Sequence, residues 1–272
     1  MGLFSGYLLI TDMDGTLLDD ERNISNENIQ AIKEFIAEGG SFTIATGRTV
    51  ESARRYIDRY FKDIHIGAPV ALYNGGKIYD FSKEETVWET YVSGHSKDVY
   101  KKIKKDHPEL GLEIYSDEVT YIYNRCRFTD RYKNLHYKVE YDTDDSIFDK
   151  DWTKALIIGE KEDMDKFEDV ARNHYDISNI VRSAANYLEV LPDGTSKGCQ
   201  IEKICEITGF DLNKTIALGD EMNDLDMILK CKYGFAVANG NPHLLEKAKH
   251  KTVSNNESAI KAVIEYVREK IK

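Results

Sequence analysis

Ile10-Thr11-Asp12-Met13-Asp14-Gly15-Thr16-Leu17-Leu18 is the stretch from which the rest of the chain is read. The apolar run Tyr7-Leu8-Leu9-Ile10 before it predicts a buried strand of a parallel sheet. The run stops at two carboxylates spaced i, i+2, which an extended backbone places on one side. Two acids at a strand end are costly to hold ionised unless a cation or hydrogen-bond donors offset their repulsion. The arrangement asks for a divalent metal, a proton shared between the acids, or both. Gly15 lets the chain turn sharply and Thr16 settles the loop. The plain alternative is a strand followed by an ordinary Asp-Gly turn.

Working outward, strands and helices alternate. A helical pattern through Ile29, Ile32, Phe35 and Ile36 starts at a Ser25 or Asn26 cap and ends at Gly39-Gly40. A second strand, Phe42 to Ala45, runs into Thr46-Gly47-Arg48, and a helix follows from about Thr49 to Tyr60. A third strand, Val70 to Tyr73, stops at Asn74-Gly75-Gly76. This is the repeat of an open parallel α/β sheet, whose functional residues collect at the C-terminal strand ends. Between residues 83 and 187 the alternation lapses into a tyrosine- and charge-rich mixture of strands and helices, read as an α+β insertion. The alternation resumes with Leu191 to Gly198, a strand at Thr215 to Leu218, and the turn Gly219-Asp220-Glu221-Met222-Asn223-Asp224. The expected organisation is a Rossmann-like core at 1–82 and 188–272, with 83–187 inserted as a cap over its strand ends.

Four separated pieces, Asp12 with Asp14, Thr46, Lys197, and Asp220 with Asp224, resemble the four motifs of the haloacid dehalogenase superfamily. Order, spacing and insertion position resemble its Cof-type sugar-phosphatase branch, which carries a large C2-type cap. The resemblance implies that Asp12 is a nucleophile attacking phosphorus and Asp14 a general acid and base. It implies Mg²⁺ held by Asp12, Asp14 through its carbonyl, Asp220 and Asp224. Thr46, Gly47, Arg48, Asn74, Lys197 and Asn223 are the expected substrate contacts. A carboxylate nucleophile divides hydrolysis into two easier displacements, and Mg²⁺ favours oxygen ligands. Taken singly, Thr46 reads as a helix cap, Lys197 as a surface lysine and Arg48 as partner to a carboxylate or to substrate. Asn74 and Asn239 read equally as loop ties. One departure is Asn255-Asn256-Glu257-Ser258, where many relatives place a Gly after the turn.

At 272 residues, with 41% apolar residues and a net charge of −11, the chain suits two acidic units. That charge argues against nucleic acid or an anionic membrane as partner. No apolar run approaches ~20 residues and the N-terminus lacks a leader pattern. The expected location is cytoplasmic, as monomer or small homo-oligomer, with Cys126, Cys199, Cys205 and Cys231 reduced and mostly buried. The expected function is Mg²⁺-dependent hydrolysis of small phosphorylated metabolites, sugar phosphates or phosphorylated cofactors. A phosphomutase using the same aspartyl-phosphate is the alternative, and a non-catalytic ligand-binding protein a more distant one.

Overall fold

Leu8–Thr11 forms β1, and all of its residues are buried. An apolar run free of alternation is what a strand covered on both faces requires, and each buried Leu or Ile stabilises it by about 1.5–3 kcal/mol. The computed structural model describes residues 2–134 and 137–271. The chain divides into two compact units, Met1–Trp88 with Ser196–Lys272, and Glu89–Thr195.

In the first unit, β1 leads to α1 (Asn26–Ala37), whose N-cap Ser25 accepts from the Asn28 N–H. Then come β2 (Ser41–Ile44) and α2 (Val50–Tyr60), the latter capped by Thr49. β3 (Val70–Leu72), β4 (Lys77–Asp80) and β5 (Glu85–Glu89) form a sheet of their own, and β3 touches the chain after β2 at the single bridge Ala45–Ala71. The β4–β5 hairpin escaped the sequence reading because its residues are mostly polar. It is also why this unit runs past residue 82.

The second unit holds α3 (Gly94–Asp106), β6 (Gly111–Ser116), β7 (Val119–Asn124), β8 (Val139–Tyr141), β9 (Lys154–Ile158), α4 (Lys161–His174), β10 (Ile180–Ala184) and β11 (Tyr187–Val190). Its sheet order is β10-β11-β9-β6-β7-β8, mostly antiparallel. Leu112, Ile114, Ile157 and Leu188 of the sheet form one core with Tyr100, Ile103, Met164 and Phe167 of the two helices. Because side chains alternate along a strand, Glu113, Lys154 and Glu189 fall on the opposite face. β11 pairs with β9 and β10, so the boundary lies at Ser196 rather than at 188.

The first unit resumes with α5 (Lys197–Thr208), β12 (Thr215–Gly219), α6 (Leu225–Lys230), β13 (Tyr233–Ala236), α7 (Pro242–Lys247), β14 (His250–Lys251) and α8 (Ala259–Ile271). The central sheet is parallel, ordered β14-β13-β12-β1-β2. β1 thus lies between strands from the two ends of the chain, with Thr11 opposite both Leu218 and Ile44. This register puts Asp12, Thr46 and Asp220 just past the same edge. Among the described residues no helix is long and apolar enough to cross a membrane. Cys205 and Cys231 are buried, Cys126 and Cys199 only half-buried, and all four are free thiols.

Candidate active site

β1 leaves the sheet through the Asp12 N–H, which still donates to the Leu218 carbonyl at 2.9 Å. Met13–Leu17 then makes one wide turn, closed by the Leu18 N–H on the Met13 carbonyl at 2.8 Å. Gly15 sits in it at φ +76°, and a Cβ there would lie 2.4 Å from Asp220 Oδ2. Only glycine meets both demands. The turn also corrects the expectation that the two acids share one side of an extended chain. Asp12 is buried among the strand ends, whereas the Asp14 side chain is 53% exposed and pairs with Arg48.

Asp12, Asp220 and Asp224 each bring a carboxylate oxygen into a group lying within 4.8 Å of one another. Lys197, the first residue of α5 after the Ser196 N-cap, reaches into this group although it is only 1% exposed. Its ammonium donates to Asp12 Oδ1 and to Asp224 Oδ1, both at 2.6 Å. The surface-lysine reading is therefore overturned. Asp224 Oδ2 accepts the Asp220 and Glu221 N–H groups at 2.9 and 3.1 Å. With both oxygens so engaged, Asp224 orients the turn and the lysine. The Thr16 hydroxyl donates to Asp220 Oδ1 at 2.8 Å. Gly219 has no room for a side chain, since a Cβ would lie 2.3 Å from that of Asp224.

Three carboxylates face one ammonium, leaving an excess of negative charge in a buried place. Burial pushes the Asp220 carboxyl well up, and the Asp12 and Asp224 charges add to the push. Burial likewise raises Asp12, against the pull of Lys197. Burial works against the Lys197 charge, but Asp12 and Asp224 outweigh it and hold the ammonium above the ordinary lysine range. Such a cluster of hard oxygen donors with surplus charge fits a divalent metal ion.

The remaining expected residues separate into two groups. Thr46 is buried beside this edge, and its hydroxyl oxygen accepts the Arg48 N–H at 3.3 Å. Arg48 donates from Nε and Nη2 to the two oxygens of Asp14 at 2.7 and 2.6 Å. Asn74, at φ +54°, accepts from Asn223 Nδ2 at 3.1 Å, while Asn223 Oδ1 is buried with no hydrogen-bond partner. Gly47 lies against Asn74, as a Cβ on it would come 2.6 Å from Asn74 Nδ2. Asn74 and Asn223 thus tie the loops after β3 and β12. Asn239 Nδ2 donates to the Gly15 carbonyl at 2.8 Å, and Asn239 Oδ1 accepts from the Asn255 N–H at 2.8 Å. Asn255 in turn donates to the Leu18 carbonyl at 3.0 Å. These ties act across long sequence separations, so only their Asn-rich turns were visible beforehand.

Residues 9–264 match the model of the haloacid dehalogenase-like hydrolase family. A Streptococcus pyogenes relative, "Putative phosphatase M6_Spy0533", is 29% identical across 93% of this chain and 95% of its own. The Bacillus subtilis 5-amino-6-(5-phospho-D-ribitylamino)uracil phosphatase YitU is 25% identical, covering 93% of this chain and 94% of itself. The solved structure of a haloacid dehalogenase-like hydrolase from Bacteroides thetaiotaomicron shares the fold, with a TM-score of 0.78 at 23% identity over 96% and 99% of the two chains.

Proposed function

The chain belongs to the haloacid dehalogenase-like hydrolase family, and from that premise we propose that it hydrolyses small phosphomonoesters with the help of Mg²⁺. The single observation that carries the reading is the buried Asp12–Asp220–Asp224 group with Lys197 inside it. Phosphoryl transfer demands positioning and charge neutralisation above all. A site with hard oxygens on one side and a fixed ammonium on the other suits that demand.

Asp12 and Asp220 would hold the metal through their side chains and Asp14 through its carbonyl, with Asp224 anchoring the turn. Bound there, Mg²⁺ supplies charge neutralisation for the phosphate oxygens. Asp12 attacks phosphorus through a carboxylate oxygen. As that bond forms, the bond from phosphorus to the ester oxygen breaks, and its electron pair leaves on that oxygen. Asp14 gives the leaving oxygen a proton, then takes one from the water that frees phosphate from Asp12. Lys197 holds Asp12 in place and faces the incoming phosphate. Thr46 would donate its hydroxyl to a phosphate oxygen.

The YitU relative supports a phosphorylated, polyol-bearing metabolite as the substrate class. Residues 89–195 are the part of the chain in which we place the choice among such esters. The test is phosphate release from a panel of sugar, polyol and cofactor phosphates, with Mg²⁺, with chelator and with Asp12→Asn. We expect release from a few related esters, abolished by chelator and reduced by about 10⁴-fold or more in Asp12→Asn, whose unfolding curve stays cooperative. Full activity in that variant would remove the mechanism. Isomerised ester without free phosphate would mark a mutase.

A further inference from the structure

Arg48 was expected at the substrate, yet its guanidinium is occupied. Nε and Nη2 form a planar two-point pair with Asp14, at 2.7 and 2.6 Å. Nη1 donates to the Ser52 hydroxyl at 2.8 Å, one turn along α2, and the group lies over the Tyr56 ring at 4.5 Å from its centre. The Arg48 backbone N–H is tied to Thr46 as well. The arginine side chain is 16% exposed and held from three sides, while the Asp14 side chain is 53% exposed. Asp14 also stands next to Gly15, and its carboxylate is not one of the three gathered from Asp12, Asp220 and Asp224. Arg48 is anchored by its other contacts, and the more exposed Asp14 carboxylate is held by that fork.

We propose that Arg48 is the positioning residue of Asp14: its anchored fork holds this exposed side chain in one orientation beside the turn that follows Asp12. The inference rests on the phosphatase reading and goes further than it, because it gives Arg48 an action on the acid rather than a grip on the substrate. Without the fork the 53% exposed Asp14 side chain is left to turn in water, so Arg48 sets how well Asp14 protonates the leaving oxygen. An ester whose leaving group departs as a stable anion needs no such proton. The two kinds of ester therefore separate positioning from binding.

The experiment compares kcat and KM of wild type, Arg48→Ala and Arg48→Lys on the best alkyl phosphate of the panel and on p-nitrophenyl phosphate. With Arg48→Ala we expect kcat on the alkyl ester to fall about tenfold or more beyond its fall on the aryl ester. Arg48→Lys keeps the charge but lacks the fork, so it restores that ratio only in part, with KM little changed in either variant. Equal losses of kcat on both esters, or a rise in KM alone, overturn the proposal in favour of a substrate grip. A readout without turnover stands beside it: a thermal-unfolding cycle of Asp14→Asn, Arg48→Ala and the double variant. We expect non-additivity of about 2–4 °C in the protein alone, kept when Mg²⁺ and inorganic phosphate are added. Coupling that vanishes with phosphate, because the guanidinium leaves Asp14 for the anion, overturns it. A wild type silent on every ester counts against the phosphatase reading instead, and the cycle then decides the role of Arg48 by itself.

Discussion

Each of the two units buries a cluster of charged side chains, and the two clusters are balanced differently. In the second unit Glu113, fully buried, takes both arms of Arg131 at 2.5 and 2.7 Å and the hydroxyls of Tyr115 and Tyr132 at 2.9 and 3.0 Å. Beside it Lys154 donates to Glu189 at 2.9 Å, and Ser183 donates to the other Glu189 oxygen at 2.6 Å. Every acid there has its own base. In the first unit three carboxylates gather beside Lys197, which donates to two of them, Asp12 and Asp224. A matched pair closes on itself, whereas surplus charge of one sign is open to a further partner. Burial of charge is common to both places, so burial alone does not mark a functional site. The imbalance does.

Removing Lys197 should break that contrast most severely. Lys197→Met leaves Asp12 and Asp224 buried without their ammonium, and loss of one partner from such a cluster costs about 3–5 kcal/mol. Phosphate release should fall by about 10³-fold, as when a donor aimed at developing charge is lost. Added Mg²⁺ should recover stability but not rate, because it answers the surplus charge and not the missing donor. Denaturant unfolding with and without Mg²⁺, alongside the release assay, checks both halves.

The matched cluster should behave otherwise. Glu113→Gln breaks the two-point pair and strands the Arg131 charge, whose side chain is 28% exposed and so partly relieved by water. We expect a loss of about 2–4 kcal/mol in unfolding, below the full cost for a wholly buried pair, and no response of that loss to Mg²⁺. A Mg²⁺-dependent recovery would show that the balance of charge does not distinguish the two clusters.

The next effect is one of pH. Asp12 and Asp220 are raised in the folded protein, so the folded state keeps their protons where the unfolded chain has released them. Their contribution to stability is complete below the ordinary carboxylate value near pH 4 and is lost as pH rises past neutrality through the raised values. A metal must displace those protons, so Mg²⁺ should raise Tm by several degrees at pH 8 and by much less at pH 5. Asp220→Asn should flatten the metal-free slope. Melting curves across that range, with Mg²⁺ and with chelator, provide the check.

Much of this was legible in the sequence, for a physical reason. The parallel strands are short apolar runs that end on polar residues, and parallel order carries all those ends to one edge. Asp12, Thr46 and Asp220 therefore stood at expected strand ends, but it was the family resemblance that singled them out together with Asp224. Lys197 did not stand out by position, because a lysine after Ser196 looks like any helix start until the fold buries it. The opposite fates of Asp12 and Asp14 were hidden too. They follow from the φ of Gly15 and from Arg48 and Lys197, which reach them from other parts of the chain. Two-residue spacing predicts a shared side only for a strand, and the strand has already ended. The domain edges were misplaced for a similar reason, since the pairing partners of Glu85–Glu89 and Tyr187–Val190 decide their unit, not their composition.

The smallest effect lies at the one departure from the family pattern. Ser258, at the end of the Asn255–Ser258 stretch where the resemblance led us to expect a glycine, adopts the left-handed conformation at φ +59°, ψ +54°. A residue with a Cβ pays about 1 kcal/mol there relative to glycine. Against that, the Ser258 and Ser25 hydroxyls share a hydrogen bond at 2.9 Å, and Ser25 already caps α1 through the Asn28 N–H. The bond is only part-buried, so its loss costs about 0.5 kcal/mol or less, since water replaces it. The conformational gain outweighs the lost bond, and Ser258→Gly should raise Tm by about 1–2 °C with kcat unchanged. A fall in Tm would mean that the Ser25–Ser258 link between the starts of α1 and α8 matters more than the strain. Ser25→Gly in the otherwise wild-type chain then separates the two, because it removes the shared bond, leaves Ser258 in its strained conformation and costs only a few tenths of a kcal/mol at the cap, by the usual order of magnitude.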